Sequence, residues 1–506
     1  MALSVYSFKD WYKSLCGLIV LMAIFRHESM PGELFGITGL NPWNLLFLSV
    51  VAGWFISRRR EGLRWDMPAH MSKLLLAYFA VILIAILRAV SDMSGIERFY
   101  ELFGVQPYTG TQLFLDRFVN GLKFLCPALL LFHGCNSKER FIWAYSSLLL
   151  MYLILALLVI KVMPLSQITD GHLLETSAKR ILGRDLGIYR TNLSVMLAGG
   201  FWMFIALQDY MERKYSLIIF FAASLVLIGL FLTAGRGGYV ACFAVGLVFI
   251  LIRWKKFLIL APIVIALIVT FIPSVADRVG LTGGQSEIYG GLSQYQEELS
   301  EADLQMNQLS AGRSDMWPPI IEKVKEKPFV GWGYYGVHNS GVSIDYILQT
   351  ETGYDHPHNA YLQLALDSGV LLAFPIVIFF ICFLRQAWIL FRVGGSTVEM
   401  LAGTAGLSLV GTFLVAGLTG QTFYPEERSF GMWCAMMLSL RIYVEHMKLQ
   451  KNAAVKIWET NNVVGSESSL KLWGAVTGRL ESMSAQSDHG KGVSFRPLEK
   501  NRMWAR

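Results

Sequence analysis

Charge is scarce in this chain. Only 16% of its 506 residues are Asp, Glu, Lys or Arg, where soluble domains carry about a quarter. With 54% hydrophobic residues and a mean hydropathy of +0.46, the composition points to an integral membrane protein. Cysteine is scarce too: of six, five lie in apolar runs and Cys135 in a short connection. The one long polar stretch has none, so no disulfide framework holds it, and Cys-x-x-Cys pairs are absent. The net charge of +7 is modest for the length and forms no concentrated basic face, so no nucleic acid partner is expected. Internal repeats of about 20–50 residues are missing. The apolar Ser14–Phe25 run is followed by Arg26-His27-Glu28 rather than a small-residue cleavage site, so a cleaved signal peptide is not expected.

What is present is a succession of twelve apolar runs, at about 14–25, 41–57, 73–90, 113–133, 141–163, 188–208, 216–234, 238–252, 257–273, 364–384, 398–419 and 429–446. A bilayer-spanning helix needs roughly 20 apolar residues, and the first and eighth runs are short by that measure. The expected fold is an all-α polytopic membrane protein of about 12 transmembrane helices, with one large loop between the ninth and tenth. Helices 1–9 then occupy 1–273, the loop 274–363, helices 10–12 364–446, and a polar tail 447–506. One set of short connections holds fourteen Lys and Arg, the opposite set seven. The positive-inside rule puts the richer set and both termini in the cytoplasm. The large loop then faces outward, which in a Gram-negative cell is the periplasm. The tail carries ten Lys/Arg against five Asp/Glu. It reads as a loosely ordered end or as one short amphipathic helix through Leu470, Leu472, Trp473, Val476 and Leu480.

Reactive side chains gather at the outward side. Between Tyr215 and Ile252 the only charged residue is Arg236, in Thr233-Ala234-Gly235-Arg236-Gly237-Gly238. An arginine in such a setting marks function or a paired structural charge, and the glycines permit a tight turn. The plainer reading is an interfacial arginine snorkelling to headgroups. In the loop, Gly283–Ser310 is polar and helix-compatible. Arg313 follows, just ahead of a helix that Ser314 or Asp315 would cap, with Pro318 and Pro319 in its first turn. A guanidinium at a helix N-terminus makes an anion site; a solvated arginine is the alternative. Phe329-Val330-Gly331-Trp332-Gly333-Tyr334-Tyr335-Gly336 reads as a glycine turn whose aromatics stack on sugar faces or form the loop's own core.

His356-Pro357-His358-Asn359-Ala360-Tyr361-Leu362 opens a helix. Pro357 suits the first helical position, Asp355 or His356 the cap, and His358 the first turn. The positive helix end disfavours imidazolium there, leaving a neutral imidazole fit to act as a general base. A structural histidine bonded to a loop carbonyl is the alternative. His356 and His358, two residues apart without a nearby Cys or carboxylate cluster, make a poor metal site. Arg190 opens the sixth apolar run on the outward side, where an interfacial anchor is one reading.

These residues resemble the O-antigen ligase and O-antigen polymerase superfamily of bacterial inner-membrane glycosyltransferases, over roughly residues 185–445. Ala234-Gly235-Arg236-Gly237-Gly238 looks like its glycine–arginine turn, with Thr233-Ala234-Gly235 in place of the serine that commonly precedes the arginine. Gly312-Arg313, Trp317, Pro328 and Gly331-Trp332-Gly333 are similar to its loop signature. His358-Asn359 with Leu362 and Gly369 matches the ligase histidine motif. The resemblance implies metal-independent transfer of a glycan from undecaprenyl diphosphate to an acceptor hydroxyl, with inversion and without a cofactor. Arg236 and Arg313, with Arg190 behind them, would bind the diphosphate, and His358 would activate the acceptor. Tyr335, His338, Trp332 and Asn359 are candidate sugar contacts. The acceptor is a growing glycan for an exopolysaccharide or O-antigen polymerase, and lipid A-core for a ligase. Other polysaccharide assembly proteins are candidate partners.

The competing class is a polytopic transporter or flippase of lipid-linked glycans. Its best support is Asp116 and Lys123 within the fourth apolar run.

Overall fold

The computed structural model describes residues 1–167, 170–258, 313–350, 356–420 and 422–463. The principal helices are α1 (Trp11–Leu21), α2 (Pro42–Ser57), α3 (Ala69–Ser91), α4 (Asn120–Gly134), α5 (Lys138–Val162), α6 (Arg190–Gln208), α7 (Arg213–Leu232), α8 (Arg236–Ile252), α9 (Arg313–Glu326), α10 (Ala360–Ser368), α11 (Val370–Val393), α12 (Thr397–Ala416) and α13 (Phe430–Val463). Among the described residues six helices, α3, α5, α6, α7, α11 and α12, are long and apolar enough to cross a membrane. The helices Trp11–Ile24, Pro42–Ser57 and Arg236–Ile252 are shorter but also apolar. The chain is an all-α, multi-pass membrane protein.

Burial runs against hydropathy. The two least apolar of the six, α6 and α12, have 72% of their spanning window buried, and the strongly apolar α7 only 33%. In lipid an apolar face gains nothing by turning inward, so the centre goes to helices whose small and hydroxyl residues let backbones approach. α12 shows how hydroxyls are tolerated there: Thr404 donates to the Met400 carbonyl at 2.9 Å and Thr412 to that of Ser408 at 2.8 Å. α6 is packed among α7, α8 and α12, α13 lies on α4 and α12, and α11 bridges α3 and α12.

Several expected boundaries move. The fourth apolar run is a helix interrupted by a π-turn at Leu115–Val119. The tenth begins at Val370, not at residue 364, because Gly369 (φ 76°) separates α10 from α11. A Cβ at Gly369 would also stand 2.6 Å from the Phe329 backbone, so only glycine fits this corner. Residues 259–312, which include most of the ninth run and the polar 283–310 stretch, lie outside the described residues, as do Asp355 and the tail beyond 463.

The described part of the large loop has its own small core of Met316, Ile320, Val337, Val342 and Leu366, with Trp317 and Trp332 against it. It docks on α3: the Tyr334 N–H donates to the Ala85 carbonyl at 2.7 Å, and Arg88 Nη2 donates to that of Gly331 at 2.9 Å.

Candidate functional site

Arg236 is the first residue of α8, half-buried, and among the described residues no hydrogen bond or ion pair engages its guanidinium. The turn before it is tightly built. Ala234 adopts a left-handed backbone (φ 52°), and Thr233 Oγ1 accepts from the Gly235 N–H at 3.3 Å while donating to the Leu230 carbonyl at 2.6 Å. The glycines are there for contact: a Cβ at Gly235 would meet Ser194 Oγ at 2.3 Å, and one at Gly237 would meet Thr419 Oγ1 at 2.5 Å. Arg190 closes the turn from the other side. Its guanidinium donates to the Ala234 carbonyl and, at 2.6 Å, to Glu175 Oε1, which also pairs with Lys179 at 3.1 Å. Glu175 is buried, so this pair is a fixed tether. Arg190 therefore holds the turn that presents Arg236.

His358 stands elsewhere in its helix than expected. α10 begins at Ala360, and the N-cap is Asn359, whose Oδ1 accepts from the N–H groups of Tyr361 at 3.0 Å and Leu362 at 3.1 Å. Pro357 is thus outside the helix, and His358 precedes the cap in a left-handed conformation (φ 51°) rather than lying in the first turn. Asparagine wins the cap because its short carboxamide reaches back to two orphan N–H groups. A non-glycine residue at such a φ is held by its surroundings. Here Ala360 N–H donates to the Gly417 carbonyl at 2.7 Å, and Tyr361 Oη to that of Leu414 at 2.7 Å. Nδ1 of His358 faces Gly420, 3.8 Å from where a Cβ would be, and the His356 ring lies 4.1 Å away.

α9 takes in Arg313 itself, so that residue lies in the helix rather than ahead of it, and Pro318 and Pro319 fall inside. The Arg313 side chain lies outside the described residues. One turn on, Trp317 Nε1 donates to the Pro357 carbonyl at 3.0 Å, next to His358.

The short turn 417–420 therefore joins the elements that the sequence singled out. Thr419 touches the Arg236 turn, Gly420 faces His358, and α9 leans on Pro357.

The candidate sugar contacts are engaged with protein. Trp332 donates from Nε1 to the Lys323 carbonyl at 2.9 Å, under the Lys327 ammonium at 3.5 Å from its ring. His338 is 1% exposed, lies tilted against the Phe99 ring at 3.9 Å and shares a hydrogen bond with Ser343 at 2.9 Å. Burial pushes its imidazole down to about 4. Tyr335 (φ 61°) accepts from Arg117 Nη2 at 2.6 Å. Arg117, on the π-turn, also faces Glu426 at 3.6 Å; sequence reasoning noted its neighbour Asp116 and passed over it. Its signal was present, as a second charge opening an apolar run.

Residues 221–376 match the family model described as O-antigen ligase. This segment is similar to the O-antigen ligase family. It takes in the second half of α7, the Arg236 turn, the large loop and His358, and ends within α11. The likeness points to a glycosyltransferase-like membrane enzyme of cell-surface polysaccharide assembly, with lipid-linked glycan and acceptor substrates. No curated protein matches the chain.

Proposed function

We propose that the chain transfers a glycan from undecaprenyl diphosphate to an acceptor hydroxyl at the periplasmic face of the bacterial inner membrane, both termini being cytoplasmic. Arg236, with the first N–H groups of α8, and Arg313 neutralise the diphosphate. His358 takes the proton of the acceptor hydroxyl as its oxygen bonds to the anomeric carbon. The bond from that carbon to the diphosphate breaks, and the electron pair leaves with the lipid. One direct displacement inverts the anomeric centre. Holding charge on a leaving group is where fixed cations act most strongly, and a positioned base adds about 10²–10⁴-fold. No metal is needed in this scheme.

The observation that carries the reading is the meeting of the Arg236 turn and the His358 corner on residues 417–420. Arg190 serves by orienting that turn, with its guanidinium already committed to Glu175 and Ala234. Among acceptors we favour a growing exopolysaccharide or O-antigen chain, hence a polymerase.

The test is reconstitution in vesicles with a lipid-diphosphate glycan and candidate acceptors, separated by gel. A ladder of products is expected. A single shift of lipid A-core would make the protein a ligase, and no glycan transfer to any acceptor would overturn the reading.

A further inference from the structure

A cavity of about 720 Å³ opens where the start of α4, the entry to α6 and residues 424–428 meet, within the roughly 300–1,000 Å³ usual for ligand pockets. Among the described residues neither Arg236 nor His358 lines it, but its wall is continuous in sequence with elements around them. Asn192 in its wall lies two residues beyond Arg190, and Tyr424 four beyond Gly420. Asp116 and Lys123, the charges that spoke for a transporter, line this cavity together with Arg26 and Arg428 from the connections between helices.

Its lining is mixed. Three carboxylates, Asp116, Glu426 and Glu427, face it against four cations, Arg26, Arg117, Lys123 and Arg428, so one positive charge is left over. Asn44, Asn120 and Asn192 add carboxamides, Tyr108 and Tyr189 add rings with hydroxyls, and Tyr424 lines the wall with its hydroxyl buried. Sugar hydroxyls donate and accept at once, and such planar groups and aromatic faces suit them.

The charges also leave a remainder. Arg26 pairs with Glu427 at 2.7 Å, while Arg117, at 3.6 Å, and Arg428 share Glu426. Lys123 has no carboxylate within ion-pair distance among the described residues. Its ammonium lies over Phe124 at 4.8 Å, Phe25 at 5.7 Å and Trp43 at 5.8 Å. Rings solvate only part of an ammonium's shell and leave its N–H donors for an anion.

We propose that this cavity is the acceptor's glycan subsite and takes an acidic sugar chain, whose carboxylate pairs with Lys123. The assignment rests on the transfer reading above, as the second substrate of the same reaction.

The test uses the full chain in lipid nanodiscs without donor. Isothermal titration compares a hexuronate-containing tetrasaccharide with its carboxyl-reduced counterpart. The acidic form should bind about tenfold more tightly, Lys123→Gln should remove that preference, and Lys123→Arg should keep it. Equal binding of the two sugars, binding by neither, or a preference that survives Lys123→Gln overturns the proposal. A separate assay with lipid-diphosphate glycan separates the two readings. Lys123-dependent sugar binding without turnover sinks the transfer reading and leaves the cavity standing. Turnover without that dependence does the reverse.

Discussion

The two ends of the helix set both pair charges across helices, but they differ in what they leave over. At the end where α13 leaves the bundle, charges are consumed in holding helices together. Arg441 joins Asp66 to Glu445 and donates to the Cys135 carbonyl at 3.2 Å. Arg140 pairs with Glu61 at 2.7 Å, and Glu61 also accepts from Trp11 Nε1 at 2.7 Å. His446 meets Glu399 at 2.8 Å, beside the Ser396 cap of α12. At the other end lie Ala234, Tyr335 and His358, all non-glycine residues with positive φ, and a half-buried Arg236 engaged by no described residue. Such conformations cost about 1–3 kcal/mol each and persist only where the fold over-determines them. The first end uses its charges for stability; the second also pairs Arg190 with Glu175 and Arg26 with Glu427, and in addition presents Arg236.

That contrast breaks most sharply under substitution of the presented groups. His358→Ala and Arg236→Ala should each lower glycan transfer by at least about 10²-fold, while the purified protein melts as the wild type does. Arg441→Ala should do the opposite. It removes a buried guanidinium from half-buried Asp66 and Glu445, which Lys448 still pairs, so stability should fall by about 1–3 kcal/mol while turnover per folded molecule is kept. Differential scanning fluorimetry beside a transfer assay reads both.

A smaller effect tests how Arg236 is held. Gly235→Ala should cut turnover about tenfold by driving a methyl into Ser194, and adding Ser194→Gly should restore most of it. Glu175→Gln should loosen Arg190 and raise the donor KM, and no change in KM or kcat would make the tether merely structural.

The smallest effect is on pH. Burial raises the Asp367 carboxyl to about 7, against an ordinary value near 4, with its Oδ1 accepting the Gly336 N–H at 2.8 Å. The folded state then holds the proton more tightly than the unfolded one. Stability should be highest below the ordinary carboxylate range and decline as pH rises to about 7. Asp367→Asn should flatten melting temperature across that window, and an unchanged slope would assign it to another group.

Much of this was legible in the sequence because a membrane imposes its own grammar. Apolar runs must be helices, and a lone arginine beside glycines at a run's end stands out. The details that escaped depend on competition between local groups. Pro357 fits a first helical position, but Asn359 takes the cap, so the helix starts later and His358 swings into the left-handed region. Leu364 to Ser368 read as the opening of a span until Gly369 turns the chain. The Glu175–Arg190 pair joins separate helices and has no local signature. His338 and Trp332 show the same limit, since an aromatic in a polar loop reads alike whether it stacks on sugar or fills the loop's core.

The most direct measurement is a double-mutant cycle on single-turnover transfer from a lipid-diphosphate glycan, using Arg236→Ala, His358→Ala and the pair. One site serving one displacement predicts that the pair is hardly slower than the worse single variant. Losses that multiply would mean that the guanidinium and the imidazole act independently, and would contradict the account.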